Sequence, residues 1–219
     1  MADDLFPDRL AALERELRTD EGECPFVLEE VAAEGTAVRH FSGGRDATYV
    51  LVSRAAGTAT QVTIKYAPFV EGTTIIYDAT GETMQGKARP FVCDLTKGAK
   101  RVYALLPQQI ETIALRTERV DEGVKLRVAF LDACGQAIQA AVPFELRELD
   151  YRRREHQASL IDERGRVFDI SRKHLSTDRQ GSYVELRKSL PGFRPMQFTA
   201  IIRSLLTGQE QAVTYRPGR

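Results

Sequence analysis

From Pro25 onward, apolar and polar residues alternate with a period of two in short runs, separated by glycines and charged residues. That pattern predicts β-strands near Phe26–Val31, Thr36–Phe41, Thr48–Ser53, Thr60–Tyr66, Thr73–Tyr77, Phe91–Leu95 and Arg101–Leu106. Ser42-Gly43-Gly44, Ala56-Gly57 and Thr80-Gly81 supply the turn residues between them. Seven strands in about 85 residues fit one antiparallel sandwich. Pro107-Gln108-Gln109 breaks the series, and a second begins at Ile110.

The second series predicts strands near Ile110–Arg116, Val124–Asp132, Ala137–Glu148, Ser159–Ile161, Val167–Asp169, Tyr183–Leu190, Gln197–Leu205 and Gln211–Tyr215. Its clearest member, Val124 to Phe130, alternates apolar with basic residues as a half-exposed strand requires, and Asp132 to Gln136 reads as the hairpin turn behind it. Phe130 and Phe198 lie in strongly apolar alternating strands and are expected in the core. Ahead of the strands, Leu10, Leu13 and Leu17 recur at helical spacing and predict a helix over Pro7–Arg18, with Asp3 or Asp4 near its start. A helix this short needs a surface to dock on.

The expected fold is all-β: two tandem antiparallel β-sandwich (immunoglobulin-like) domains with a short N-terminal helix. Residues 1–22 form the lead-in helix, 23–108 a small β-sandwich domain and 109–219 an immunoglobulin-like β-sandwich domain. No segment alternates a strand with a ten-residue helix, so the building block of a parallel α/β sheet is missing.

Composition narrows the function classes. With 42% hydrophobic and 28% charged residues the chain is an ordinary folded one. Its 31 basic and 31 acidic residues cancel, which removes the electrostatic footprint of a protein that lives on nucleic acid or anionic membrane. No run approaches the roughly eighteen apolar residues that span a bilayer, and the N-terminus lacks a signal-peptide pattern. In a chain cut from a longer precursor that says nothing of the compartment, so localisation stays open.

Candidate chemistry is sparse. Cys24, Cys93 and Cys134 are widely spaced, form no CxxC pair and read as small buried hydrophobes. His40, His156 and His174 belong to no metal or deaminase motif. Ser42-Gly43-Gly44 lacks the nucleophile-elbow pattern. Carboxylates such as Glu29, Glu30, Asp78, Glu82, Asp150 and Asp162 show no paired arrangement. The expectation is therefore no catalytic, ligand-binding or metal site, no cofactor and no enzymatic activity. Tyr151-Arg152-Arg153-Arg154-Glu155-His156 is the densest basic cluster and reads as a solvated loop. Followed by Asp169-Ile170-Ser171, it resembles the arginine motif and D-x-S segment of PilZ domains, which bind cyclic di-guanylate, although Lys173-His174 occupies the stretch where that family has glycine.

A more extended resemblance covers the first domain. Thr74-Ile75-Ile76-Tyr77-Asp78-Ala79-Thr80-Gly81-Glu82, then Leu95 through Pro107, with Val38-Arg39-His40-Phe41 and Ala47 to Val52 before them, resembles the C-terminal β domain of bacterial beta-galactosidase-like glycoside hydrolases. Phe130 to Gly135 and Phe198 to Gly208 are similar to strands and turns of the immunoglobulin-like or macroglobulin-like sandwiches that follow such modules. The resemblance implies a non-catalytic accessory or assembly region, whose partner is the catalytic domain of a larger parent chain or a neighbouring subunit. Carbohydrate is the alternative partner, but the chain has no Trp and 8% aromatic residues. Sugar platforms rely on exposed aromatic faces. Alternation puts several of Tyr49, Tyr66, Tyr77, Tyr103 and Tyr183 into the cores instead, which favours assembly over sugar binding.

Overall fold

The computed structural model describes residues 28–30, 35–44, 47–55, 61–66, 74–87, 89–96, 100–121, 123–149, 159–161, 167–169, 172–188 and 197–216. The expected helix over Pro7–Arg18 lies outside the described residues. Among those described there is no helix, and every strand pairing is antiparallel.

Eight strands precede Pro107: β1 (Leu28–Glu30), β2 (Thr36–Ser42), β3 (Thr48–Arg54), β4 (Gln61–Tyr66), β5 (Ile75–Asp78), β6 (Thr83–Lys87), β7 (Phe91–Asp94) and β8 (Lys100–Leu106). They form a three-stranded sheet, β1-β4-β7, and a five-stranded sheet, β2-β3-β8-β5-β6. Nine strands follow: β9 (Thr112–Val120), β10 (Gly123–Leu131), β11 (Pro143–Leu149), β12 (Ser159–Ile161), β13 (Val167–Asp169), β14 (Arg172–Ser176), β15 (Ser182–Lys188), β16 (Phe198–Ser204) and β17 (Glu210–Tyr215). Their sheets are β15-β10-β9, β14-β11-β16-β17 and the hairpin β12-β13, and no sheet mixes strands from the two sides of Pro107.

In the second half, Leu126, Val128 and Phe130 of β10 share a buried cluster with Phe144 and Leu146 of β11 and Ile202 of β16. The Phe130 and Phe144 rings lie 6.0 Å apart. Asp132 closes the hairpin after β10 because its Oδ1 accepts from the backbone N–H groups of Cys134 and Gln136, each at 2.9 Å. Phe198 differs from expectation. It is only partly buried, because β16 starts at the rim, where the ring stacks on Tyr215.

The central strands of the five-stranded sheet, β3, β8 and β5, are buried on both faces. Val50, Val52, Ile76, Tyr103 and Leu105 pack on Val62, Ile64 and Cys93 of the three-stranded sheet and on Leu95 just past the end of β7. The alternate residues Tyr49, Leu51, Tyr77, Val102, Ala104 and Leu106 join the cluster that contains Phe130, Ile138, Val142 and Phe144. Strands covered on both sides lose their polar alternation, which is why Tyr49 to Val52 and Val102 to Leu106 are unbroken apolar runs.

Buried phenols pin this contact. The Tyr49 hydroxyl donates to the Ala141 carbonyl, and the Ala141 N–H donates to Gly43 O at 2.6 Å. A Cβ at Gly43 would stand 2.6 Å from the Tyr49 ring, so only glycine lets the ring lie on the backbone there. The alternation did not predict β6 or β14. Both are sheet-edge strands with few apolar residues.

Candidate functional site

On β11 the pleat turns Phe144 and Leu146 inward and Glu145 and Arg147 to the opposite face. Glu145 is nonetheless only 3% exposed. A carboxylate withdrawn from water needs positive or hydrogen-bonding partners. His174 sits across from it on β14, with Nε2 3.4 Å from Glu145 Oε2, and Arg147 Nε lies 3.4 Å from Oε1. Arg147 also donates to Glu210 Oε1 at 2.7 Å, and Arg203 Nη1 stands 3.9 Å from the same oxygen. Arg203 then donates through Nη2 to Glu82 Oε2, and that hydrogen bond is the chief reason its guanidinium is raised above the ordinary arginine value. This ion network therefore crosses from the second half to the β5–β6 turn of the first.

Glu82 holds that turn in an uncommon conformation, at φ 52°. The turn is organised by Asp78, whose Oδ1 accepts from the N–H groups of Thr80 and Gly81 at 2.9 and 3.1 Å. Arg101 Nη1 lies 3.8 Å from the other Asp78 oxygen.

A second cluster lies where the edge strands β14 and β15 face each other. Lys173 Nζ donates to Glu185 Oε1 at 2.9 Å and stands 3.9 Å from Glu148 Oε1, which also accepts from Arg187. Tyr183 donates its hydroxyl to Glu185 Oε2 at 3.2 Å. Burial pushes the Tyr183 phenol up, and the neighbouring Glu185 charge adds to the shift. The Arg187 guanidinium lies 4.1 Å from the centre of the Phe198 ring, a cation–π contact that caps the rim.

A shallow groove of about 230 Å³ crosses the outer face of β9, β10 and β15. Ala114, Ala129 and Ser182 form its floor, beside Arg116, Arg127 and Val184. Among the described residues no group of three His, Cys, Asp or Glu side chains is placed to hold a metal ion.

The residues weighed for chemistry have separate fates. Cys93 is buried as expected, and burial is the main reason its thiol is pushed up, whereas Cys134 is exposed on the hairpin turn after β10. Tyr49, Tyr77 and Tyr103 are core residues. Asp78 and Glu82 lie in one turn, while His40 is on β2 and His174 on β14. Cys24, Asp150, Tyr151 to His156 and Asp162 lie outside the described residues. So do Ile170 and Ser171, so the PilZ-like stretch is represented only by Asp169 at the end of β13. Sequence reasoning missed both ion networks. Their one local trace is the alternation in Phe144-Glu145-Leu146-Arg147-Glu148, where charged residues occupy the positions opposite the core.

No protein-family model matches the chain, and no curated protein matches it at a significant level. Solved structures similar to the chain include glycoside hydrolases. The glycoside hydrolase domain of Endo-D from Streptococcus pneumoniae R6 is 9% identical, with a TM-score of 0.26, over 87% of this chain and 37% of that one. A beta-glucuronidase from Parabacteroides merdae is 12% identical, with a TM-score of 0.26, over 82% and 29%. A putative beta-galactosidase from Bacteroides fragilis is 12% identical, with a TM-score of 0.23, over 80% and 33%. The chain thus spans between 29% and 37% of the length of these three structures. At such superpositions no residue or activity carries over.

Proposed function

We propose that this chain is a non-catalytic accessory region of a larger glycoside-hydrolase-like protein, a double-sandwich strut that packs against a catalytic part or a neighbouring subunit. The observation that carries the reading is the centre of the five-stranded sheet, strands β3, β8 and β5, buried on both faces, which welds the two halves into one body. A rigid spacer needs such a joint, since sandwiches joined only by a linker hinge against each other. The polar side chains support the same reading. Glu82, Glu145, Glu148, Glu185 and Glu210 are engaged by Arg, Lys or His across strands, so these carboxylates serve as clamps. The tyrosines that a sugar platform would need at the surface, Tyr49, Tyr77 and Tyr103, are spent in the cores.

The test is to assay the purified chain against a panel of aryl glycosides. No turnover above buffer is expected. Reproducible turnover that disappears on changing one carboxylate to its amide, with the fold intact by circular dichroism, would overturn the reading. Turnover untouched by every such change would identify a contaminant.

A further inference from the structure

The outer face of the β15-β10-β9 sheet carries a charge arrangement that folding does not explain. Register places Arg116 of β9 directly opposite Arg127 of β10, and Val184 of β15 on the other side of Arg127. Directly opposed strand residues have Cβ atoms about 5 Å apart, and like charges there are destabilising. In the next row Lys125 adds a third cation beside Glu118. Glu118 reaches Arg127 Nε at 3.5 Å, with both side chains more than half exposed, and such a pair contributes little. Arg116 has no ion-pair partner among the described residues. The row on the other side is Ala114, Ala129 and Ser182, a low shelf that forms the floor of the groove. Val184, 47% exposed, stands at its rim.

We infer that this face docks an acidic, extended segment of a partner protein. An acidic side chain laid over the opposed arginines would relieve their repulsion and gain forked hydrogen bonds from either guanidinium. The small residues let a partner backbone approach the sheet, while Val184 offers an apolar contact for an adjacent side chain. The same features disfavour a nucleic acid. Glu118 interrupts the patch, and three cations make a short footprint for a polyanion. The aromatic residue in the groove lining, Tyr183, packs its ring edge-on to Phe144 against the core and so offers no open face for base stacking. The inference goes beyond the accessory reading and does not depend on it, since a catalytic chain can equally carry a docking face.

The test uses the whole chain and a fluorescein-labelled peptide in which glutamates alternate with threonine and valine, followed by fluorescence anisotropy at low salt. Saturable binding is expected, weakening as salt is raised. R116E/R127E should weaken it by roughly tenfold or more. K87E, a charge reversal on the exposed edge strand β6, should leave it unchanged. Both variants change exposed side chains, and matched unfolding midpoints establish that they fold. Absence of saturable binding, equal losses in the two variants, equal binding of the peptide with glutamine for glutamate, or tighter binding of a single-stranded oligonucleotide would each overturn the proposal.

Discussion

The Tyr77 hydroxyl, buried in the five-stranded sheet, accepts a hydrogen bond from the Ile110 backbone N–H at 2.7 Å. Ile110 lies just past the break at Pro107, so this one contact anchors the chain where it passes from one set of sheets to the other.

Tyr77→Phe should therefore cost more than the usual hydrogen bond. It strands a buried N–H, for which the penalty is about 1–3 kcal/mol. Tyr49→Phe instead removes a donor from the Ala141 carbonyl, a partly buried acceptor, and should cost about 1 kcal/mol. Chemical denaturation of both variants checks the order. A Tyr77→Phe cost at or below that of Tyr49→Phe would show that the Ile110 N–H finds another acceptor.

Glu82 combines two opposing effects, which substitutions can separate. Its positive φ is unfavourable for any residue with a Cβ, by about 1–2 kcal/mol, whereas its carboxylate holds Arg203. Glu82→Gly loses the ion pair but relieves the backbone, while Glu82→Ala loses the pair and keeps the strain. The alanine variant should be the less stable of the two by about 1 kcal/mol. A double-mutant cycle between Glu82→Ala and Arg203→Ala should return a coupling near 1 kcal/mol that shrinks in high salt. Equal stabilities of the alanine and glycine variants would remove the strain argument.

Burial raises the phenols of Tyr49, Tyr77 and Tyr103 above the ordinary tyrosine value; in Tyr103 the neighbouring Cys93 adds to the effect. In the unfolded chain these groups ionise near pH 10, about their ordinary value, and in the folded chain later. The folded state thus holds more protons above that pH, so stability is full below about pH 10 and falls as pH rises beyond it. Unfolding free energies measured across the alkaline range should show this fall. Phenolate absorbance from these three tyrosines should appear together with the loss of structure. Absorbance from all the tyrosines near pH 10 in a chain that stays folded would contradict the burial.

Much of the fold was legible because its determinants are local. The alternation in Val124 to Phe130 and the glycine and aspartate after it define β10 and its hairpin turn within about a dozen residues. The unbroken runs Tyr49 to Val52 and Val102 to Leu106 also carried the signal of a doubly covered sheet, although as strands of a lone sandwich they needed only one buried face. The contacts that join the halves were not legible. Tyr49 meets Ala141 and Arg203 meets Glu82 across sequence separations of 92 and 121 residues. Nothing near Tyr49 or Arg203 specifies those partners, because sheet stacking selects them.

That dependence on stacking gives the last prediction. If the chain is cut after residue 108, the fragment 23–108 retains the sheet pairings of β1 to β8 but exposes Tyr49, Leu51, Tyr77, Val102, Ala104 and Leu106. Fully burying one large apolar side chain contributes about 1.5–3 kcal/mol, so uncovering several at once removes stabilisation comparable to that of a whole small domain. The fragment should aggregate or remain a loosely packed state that binds a hydrophobic dye. The intact chain should unfold in a single calorimetric transition, with van't Hoff and calorimetric enthalpies in agreement. Two separated transitions in the intact chain, together with monomeric, cooperatively folded fragments 23–108 and 109–219, would show that each half closes its own core. The doubly buried sheet would then be a contact between independent domains instead of the joint of a single strut.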